Sequence, residues 1–454
     1  MSASPGRATA LKVISRVRER RAYAHETLDA VLNATPGLDV RDRAFATRVA
    51  YGVIATAGTL DEALDRFLDR PSRVEPRVRD ALEIAAWEIL FGGADIHVAV
   101  SEGVELARSV RSQAAGLANA VLRRLADASD TFPWGDPTSD HGALARLYGH
   151  PLWMTERLVD DLGRPAAESV LAADNEPAPV YLAHLPFRGP ERELIARLEG
   201  AGAEPSPGPL PGSIQVDRPA ALATSGVLAS GLAEVCDAGA QFATSCVRPS
   251  PGVRIVEIGA GRGTKTLLLQ ALSHRAGGQA EIWAVDSHAF KLDVLSKRAA
   301  ELGVNGIHPL VADATHLPIG ESLPPQGGAD AVLLDTPCSG MGTLRRHPDK
   351  RWRLRPEGID ALAALGAHML EQSALLVSPG GFVVYSTCTL TRRENRNVVE
   401  GFLETSAGKR FVVDDLASEV PAAWLRFVAE EGWFQSVPEI GGPDGHFVAR
   451  LRRD

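Results

Sequence analysis

The sequence predicts a multidomain chain with an all-α bundle over residues 1–128, a linker and small α+β subdomain over 129–232, and an α/β domain with a doubly wound parallel sheet over 233–454. Three observations carry this. Up to about residue 128, apolar residues recur at three- and four-residue steps. From about residue 233, short apolar strands alternate with helical segments. Between these regions Pro133, Pro137, Pro151, Pro165, Pro177 and Pro179 punctuate a looser composition.

A length of 454 residues allows two or three domains, and 45% hydrophobic with 23% charged residues is globular composition. The N-terminal stretch has no apolar core of a secretory signal, and no apolar run approaches the length of a bilayer span, so no membrane association is expected. Four cysteines, Cys236, Cys246, Cys338 and Cys388, form no CxxC pair and no metal spacing. A cytoplasmic, reducing setting with free thiols and no metal follows. A net charge of −9 argues against general nucleic-acid binding, but it hides two basic clusters. Lys12, Arg16 and Arg20 fall on one helical face. Arg345, Arg346, Lys350, Arg351, Arg353 and Arg355 crowd a single short stretch.

In chain order, Leu11, Ile14 and Val17, then Leu28, Val31 and Leu32, mark the first helix pair, broken at Pro36-Gly37. Further helices are predicted from Asp42 to Ile54, Leu60 to Leu68, Pro76 to Leu90, Val98 to Val110 and Ala115 to Ala126. Their short connections predict a bundle. In the middle region a strand is expected from Val180 to His184, a helix from Pro190 to Leu198, and a Pro/Gly-rich loop from Glu204 to Gly212.

The α/β region opens with a strand from Val253 to Ile258, a Gly-rich turn, and a helix from Lys265 to His274. A strand from Glu281 to Val285 ends in Asp286; a helix from Ala289 to Leu302 and a strand from Ile307 to Val311 follow, ending near Asp313. Ala331 to Leu334 and Gly381 to Tyr385 are two more strands, with a helix from Ile359 to Val377 between them and a closing strand from His446 to Leu451. Each of those two strands runs at once into a cysteine, Cys338 after Asp335-Thr336-Pro337 and Cys388 after Ser386-Thr387. Both thiols are therefore expected at the ligand-binding edge of one sheet.

The turn Glu257 to Thr266, EIGAGRGTKT, carries Gly259, Ala260, Gly261, Gly263 and Thr264. Such a strand-to-helix turn lets backbone N–H groups approach a ligand. It is not a phosphate-binding P-loop, because Thr264 stands where a glycine would have to precede Lys265. Asp286 suits a ribose diol, and Asp313 an adenine amino group. Acids near three strand ends together predict a nucleoside pocket.

A buried cysteine is usually a small core residue, the reading given to Cys236 and Cys246. Cys338 and Cys388 enter polar turns, where a thiolate can act as a nucleophile. Cytosine carbon 5 is too electron-poor to attack a methyl donor directly. Thiolate addition at carbon 6 activates it, an acid near N3 supports that addition, and a base must later remove the carbon 5 proton.

The segments LLDTPCSGMGTLRRHPD and VVYSTCTLTRREN resemble the Pro-Cys and Thr-Cys motifs of RNA (cytosine-5) methyltransferases. The segments RDRAFATRVAYGVIATAGTLDEALDRFL, VRDALEIAAWEILF, HVAVSEGVELARSV and GLANAVLRRL resemble the RNA-binding NusB-like domain. Together these are similar to the RsmB (Sun) group, and the resemblance spans the N-terminal region and about 233 to the end. It implies a Rossmann-like class I methyltransferase domain that uses S-adenosylmethionine and acts on RNA, with small-subunit ribosomal RNA the expected partner and a monomer the expected state. Carried onto this sequence, it makes Cys388 the nucleophile and Cys338 the group that assists proton removal and product release. It puts Asp335 at cytosine N3 and Lys265 in the active site. Glu257, Gly259, Ala260, Gly261, Gly263, Thr264, Lys265, Asp286, Lys291, Asp313 and Asp335 would bind the cofactor. Arg345, Arg346, Arg351 and Arg353 are expected to contact RNA phosphates.

The first motif departs from the family's Asp-x-Cys-Ala-Ala-Pro-Gly-Gly-Lys-Thr. Glu257 replaces the Asp, Gly259 the Cys, Gly261-Arg262 the Ala-Pro, and Thr264 the second Gly, while Lys265 and Thr266 are kept. The altered turn resembles the E-x-G-x-G-x-G loop of other S-adenosylmethionine methyltransferases, which implies retained cofactor binding. Two functions remain in view: an active RNA (cytosine-5) methyltransferase, and an RNA-binding ribosome-assembly factor whose methyltransferase domain is inactive. A DNA enzyme fits less well, because DNA cytosine-5 enzymes use the Pro-Cys thiol as nucleophile and lack the Thr-Cys partner.

Overall fold

The helical periodicity of the first region folds into Pro5–Arg20, Ala24–Asn33, Val40–Asp65, Pro76–Leu90, Ile96–Val110 and Ala114–Ala128. The computed structural model describes residues 4–20 and 22–454. The apolar stripes meet in one core, where Ile14, Val49, Leu60, Leu82, Leu106 and Leu122 are fully buried. Burial of each leucine contributes about 2 kcal/mol. Local signals set the helix starts: Asp39 accepts from the Asp42 N–H at 2.7 Å, and Asp95 accepts from His97 and Val98.

Val40–Asp65 is one helix where two were expected. The expected gap spans Ala55–Thr59, and within it Gly58 serves close packing. A Cβ at Gly58 would stand 2.2 Å from the indole of Trp352. The helix thus accepts the propensity cost of a glycine to admit a large aromatic ring.

By its internal contacts the chain divides into two units. One takes in the chain up to Glu176 together with Leu344–Leu354; the other is Pro177–Thr343 with Arg355–Asp454. The first unit runs past residue 128 because the expected linker carries the helices His141–Tyr148, Leu152–Leu162 and Arg164–Ala173. Its prolines do not break these helices. Pro151 is the residue before the second, and Pro165 sits in the first turn of the third, positions where proline's missing N–H costs nothing.

The segment Leu344–Leu354 holds most of the second basic cluster, and its packing corrects the phosphate contacts expected of Arg351 and Arg345. Arg351 is completely buried. Its guanidinium donates to the carbonyls of Gly149 and Asp174 and to Asn175 Oδ1, at 3.2, 2.9 and 2.9 Å. Burial lowers its pKa to about 10, with the charge of Asp174 opposing, so it remains a cation at neutral pH. A side chain with no exposed surface cannot meet a phosphate. Arg345 is buried too. Arg353 donates to the Ala22 carbonyl at 2.8 Å and pairs with Asp349 at 3.2 Å. Arg346 is half-buried and Arg353 exposed, as are Lys12, Arg16 and Arg20 along the first helix.

The second unit holds two sheets. Strands β1 (Val180–His184), β2 (Pro205–Pro207), β3 (Ser213–Val216) and β4 (Ala233–Val235) form a small antiparallel sheet in the order β2-β3-β1-β4. The large sheet comprises β5 (Arg254–Ile258), β6 (Glu281–Asp286), β7 (Ile307–Val311), β8 (Ala329–Asp335), β9 (Val377–Thr387), β10 (Phe411–Asp414), β11 (Phe434–Gln435) and β12 (Phe447–Arg453). Its order is β10-β12-β9-β8-β5-β6-β7, with β11 on β12. Strands β5 to β9 are parallel to their neighbours, but β12 runs antiparallel to β9, so the sheet is mixed and not wholly parallel. The closing strand covers the β9 edge and buries Phe447, Val448, Ala449 and Leu451. Among the described residues no helix is long and apolar enough to cross a membrane.

Candidate active site

From β5 the chain moves outward through β6 and β7, then returns to place β8 on the other side of β5. Ligands of open α/β sheets bind where strand order reverses in this way. Ile258 pairs with Leu334 there, so Gly259 and Asp335 emerge side by side. Gly259 adopts φ +88°, and a Cβ on it would stand 2.5 Å from the Asp335 carbonyl oxygen. A cysteine at this position, as in the related pattern, would be strained in this conformation.

The turn offers less hydrogen-bonding than its glycines led us to expect. The N–H groups of Gly259 and Ala260 both donate to the Val285 carbonyl, that of Gly263 to the Ala260 carbonyl, and that of Gly261 to Asp286 Oδ2 at 3.0 Å. All four are used within the protein. What remains open is space above Gly261 and a set of acceptors.

Asp286 also accepts from the His288 N–H at 2.9 Å and faces Lys291 Nζ at 3.4 Å. Burial works to raise its pKa, but those N–H groups and the lysine charge hold it below the ordinary carboxylate value. Glu257 is fully buried; one oxygen accepts from Thr266 Oγ1 at 2.5 Å, and Oε1 is buried without a hydrogen bond. Burial pushes its pKa up to about 7, against the Thr266 bond and the Lys265 charge. Asp313 stands apart, in an exposed turn beyond β7, where it caps Thr315. Thr264 opens the helix Thr264–Arg275. A ligand rich in donors and carrying positive charge fits this acid-lined turn, and S-adenosylmethionine, with its sulfonium, ammonium and ribose diol, is such a ligand.

Lys265 reaches from the first turn of that helix to Asp335, Nζ to Oδ2 2.6 Å. Burial alone would lower the lysine's pKa, but the Asp335 charge and hydrogen bond raise it, with Cys236 and then Cys388 adding to the effect. Asp335 pairs across the sheet with Ser386, and Thr336 N–H donates to the Ser386 carbonyl at 2.9 Å. This register brings the two post-strand turns together. Cys338 Sγ and Cys388 Sγ lie 3.4 Å apart, and both residues are partly exposed. The Cys388 N–H also points at Cys338 Sγ, at 3.4 Å. The hydrogen bond to Cys388, burial, and the nearby charges of Cys388 and Glu394 hold the Cys338 thiol well above its ordinary pKa. Cys236 and Cys246 are core residues, and burial pushes the Cys236 thiol up to about 12.

The profile of the 16S rRNA methyltransferase RsmB/F family matches residues 244–452, and that of the NusB family matches residues 4–127. A Thermus thermophilus protein named ribosomal RNA small subunit methyltransferase B is 34% identical over 100% of this chain and 99% of its own length. This chain belongs to the RsmB/F methyltransferase family. S-adenosylmethionine is the family's methyl donor. A Xanthomonas campestris protein of the same name as the Thermus one is 31% identical over 88% of both chains. The fold also matches the crystal structure of PH0851, with a TM-score of 0.80 over 99% of both chains at 23% identity. A methyltransferase homologue from Pyrococcus horikoshii aligns with a TM-score of 0.56 over 68% of this chain and 97% of its own, at 21% identity.

Sequence reasoning gave no role to Glu394, although it lies in the segment that carries Cys388. The structure buries it between the two cysteine turns. The available signal was an acid in the segment after Cys388, with Ser339 and Thr389 each directly following one of the two cysteines.

Proposed function

We propose that this protein makes 5-methylcytosine in small-subunit ribosomal RNA. The observation that carries the reading is the 3.4 Å approach of Cys338 and Cys388 at the sheet edge. The names of the Thermus and Xanthomonas relatives support the choice of RNA.

Cys388 adds through sulfur to carbon 6 of the target cytosine, and the displaced electron pair makes carbon 5 nucleophilic. Asp335 faces N3 and Lys265 holds the Asp335 carboxylate in place from 2.6 Å. Bound S-adenosylmethionine supplies the methyl group that carbon 5 receives. Asp286 and Lys291 line its site, with Glu257 buried beneath the turn and Gly261 leaving room for close approach. Cys338, as its thiolate, then takes the carbon 5 proton and becomes the thiol, the carbon 5–carbon 6 double bond re-forms, and Cys388 leaves as thiolate. Two thiols within contact distance suit that division of labour. The helical unit binds the RNA, with Lys12, Arg16 and Arg20 as its exposed cationic face.

Bisulfite sequencing of total RNA from cells lacking the gene, against the parent, tests this. One small-subunit cytosine should lose methylation. If none does while the protein still binds RNA, the assembly-factor reading replaces this one.

A further inference from the structure

Glu394 lies in the segment TLTRREN that follows Cys388, and only 2% of it is exposed. Its Oε1 accepts the Ser339 N–H at 2.6 Å. Its Oε2 accepts the hydroxyls of Ser339 and Thr391, each at 2.7 Å, and that of Thr389 at 3.1 Å. Ser339 Oγ and Thr389 Oγ1 also lie within hydrogen-bonding distance of each other, at 2.7 Å. Ser339 directly follows Cys338, and Thr389 directly follows Cys388. One carboxyl group therefore ties together the residues next to both thiols.

The surroundings hold Glu394 itself in place. The Tyr385 hydroxyl donates to its backbone carbonyl at 2.6 Å. The neighbouring Asn395 accepts from Thr387 at 2.6 Å and donates to the Thr389 carbonyl at 2.9 Å, bracketing Cys388 from both sides. The four donors to the Glu394 carboxyl are all neutral. A buried carboxyl group held this way loses solvation without a cation to compensate, and an apolar core residue would stabilise the fold more simply. Buried polar networks of this kind fix a single geometry.

We propose that Glu394 is a positioning residue that clamps Ser339 to Thr389 and so holds the Cys338 and Cys388 thiols in contact. The thiol contact is a property of the protein alone; its use in catalysis rests on the two-thiol reading above. Glu394→Ala removes the clamp. Glu394→Gln keeps its shape and can present its oxygen to the Ser339 N–H, while the two N–H bonds of the new amide serve at most two of the three hydroxyls, which rotate to accept; its effect should be intermediate.

The test needs no RNA. The full chain and both variants are equilibrated with reduced and oxidised glutathione, so that the two thiols form a disulfide as oxidised glutathione becomes two reduced molecules. Mass spectrometry of the peptides gives the fraction of Cys338–Cys388 disulfide, and hence the thiols' effective concentration. A fall of tenfold or more is expected for Glu394→Ala and a smaller fall for Glu394→Gln, with S-adenosylmethionine affinity and the main melting transition retained. If either variant fails to fold, Thr389→Val, which removes one hydroxyl, is read instead and should lower the value several-fold. An unchanged effective concentration in the folded variants overturns the proposal. RNA methylation is measured in parallel: a wild type with no activity but a loosened thiol pair in the variants would overturn the catalytic reading and leave the clamp standing.

Discussion

Lys265 Nζ stands 2.6 Å from Asp335 Oδ2, a contact between the first turn of a helix and the end of the neighbouring strand β8. It is partly shielded, with the side chains 17% and 32% exposed, so the pair keeps more of its attraction than a surface ion pair. Replacing Lys265 by Met leaves Asp335 without the group that orients it. Turnover should fall about 100-fold or more, the usual scale for losing one preorganised electrostatic group. Steady-state kinetics should place the loss in kcat, and Lys265→Arg should recover part of it. Wild-type turnover in Lys265→Met would remove the pair from the mechanism.

Glu257 gives a pH signature. Its folded-state pKa is raised from 4.5 to about 7 by burial. The folded protein therefore holds a proton there that the unfolded chain releases, and stability from this group falls as pH rises from 4.5 to about 7. Glu257→Gln cannot titrate. In thermal melts at pH 5 and pH 8, the wild type should lose stability relative to the variant at the higher pH. A difference independent of pH would mean that Glu257 is ionised without penalty.

Gly58 and Trp352 should be strongly coupled, since a Cβ at 58 would overlap the indole. Gly58→Ala should destabilise the helical unit by about 1–3 kcal/mol, the scale of overpacking. In a Trp352→Ala background the same change should cost less than half as much, because the space is then empty. Additive effects in denaturant melts would rule out the contact.

These cases mark where the sequence was legible. The helix Ala289–Leu302 and the strand Ile307–Val311 form with the bounds expected from periodicity alone, since apolar spacing and flanking glycines are local signals. Both cysteines could be placed at one sheet edge because each follows a buried strand. The helix Val40–Asp65 was expected as two segments, because the packing of Gly58 on Trp352 within the unbroken helix is not displayed in the sequence. The basic run from Arg345 misled for a related reason: composition counts charges, while burial of Arg351 depends on carbonyls from Gly149 and Asp174. The turn at Gly259 was recognisable, but the internal use of its N–H groups was not, because their acceptors lie on other strands.

With Arg351 buried, the cationic surfaces left for an RNA contact are Arg353 and the exposed face of the helix Pro5–Arg20. Changing Lys12, Arg16 and Arg20 together to Ala should weaken RNA binding and flatten the dependence of log affinity on log salt by about 0.7 for each lost phosphate contact. Arg351→Ala should instead lower stability, on the order of 3 kcal/mol, with the salt slope unchanged in the folded fraction. Filter binding at several salt concentrations and thermal melts separate the two.

The most direct measurement of the two-thiol account is trapping of the covalent RNA adduct in single-cysteine variants, with thermal melts confirming that both fold. Cys338→Ala should still add to carbon 6 through Cys388 and complete methyl transfer, then stall, giving a protein–RNA band that survives denaturing electrophoresis and collapses with nuclease. Cys388→Ala should give no such band and no turnover. Trapping by Cys388→Ala with none by Cys338→Ala would exchange the roles of the thiols, and no adduct from either folded variant on a verified RNA would contradict the two-thiol mechanism.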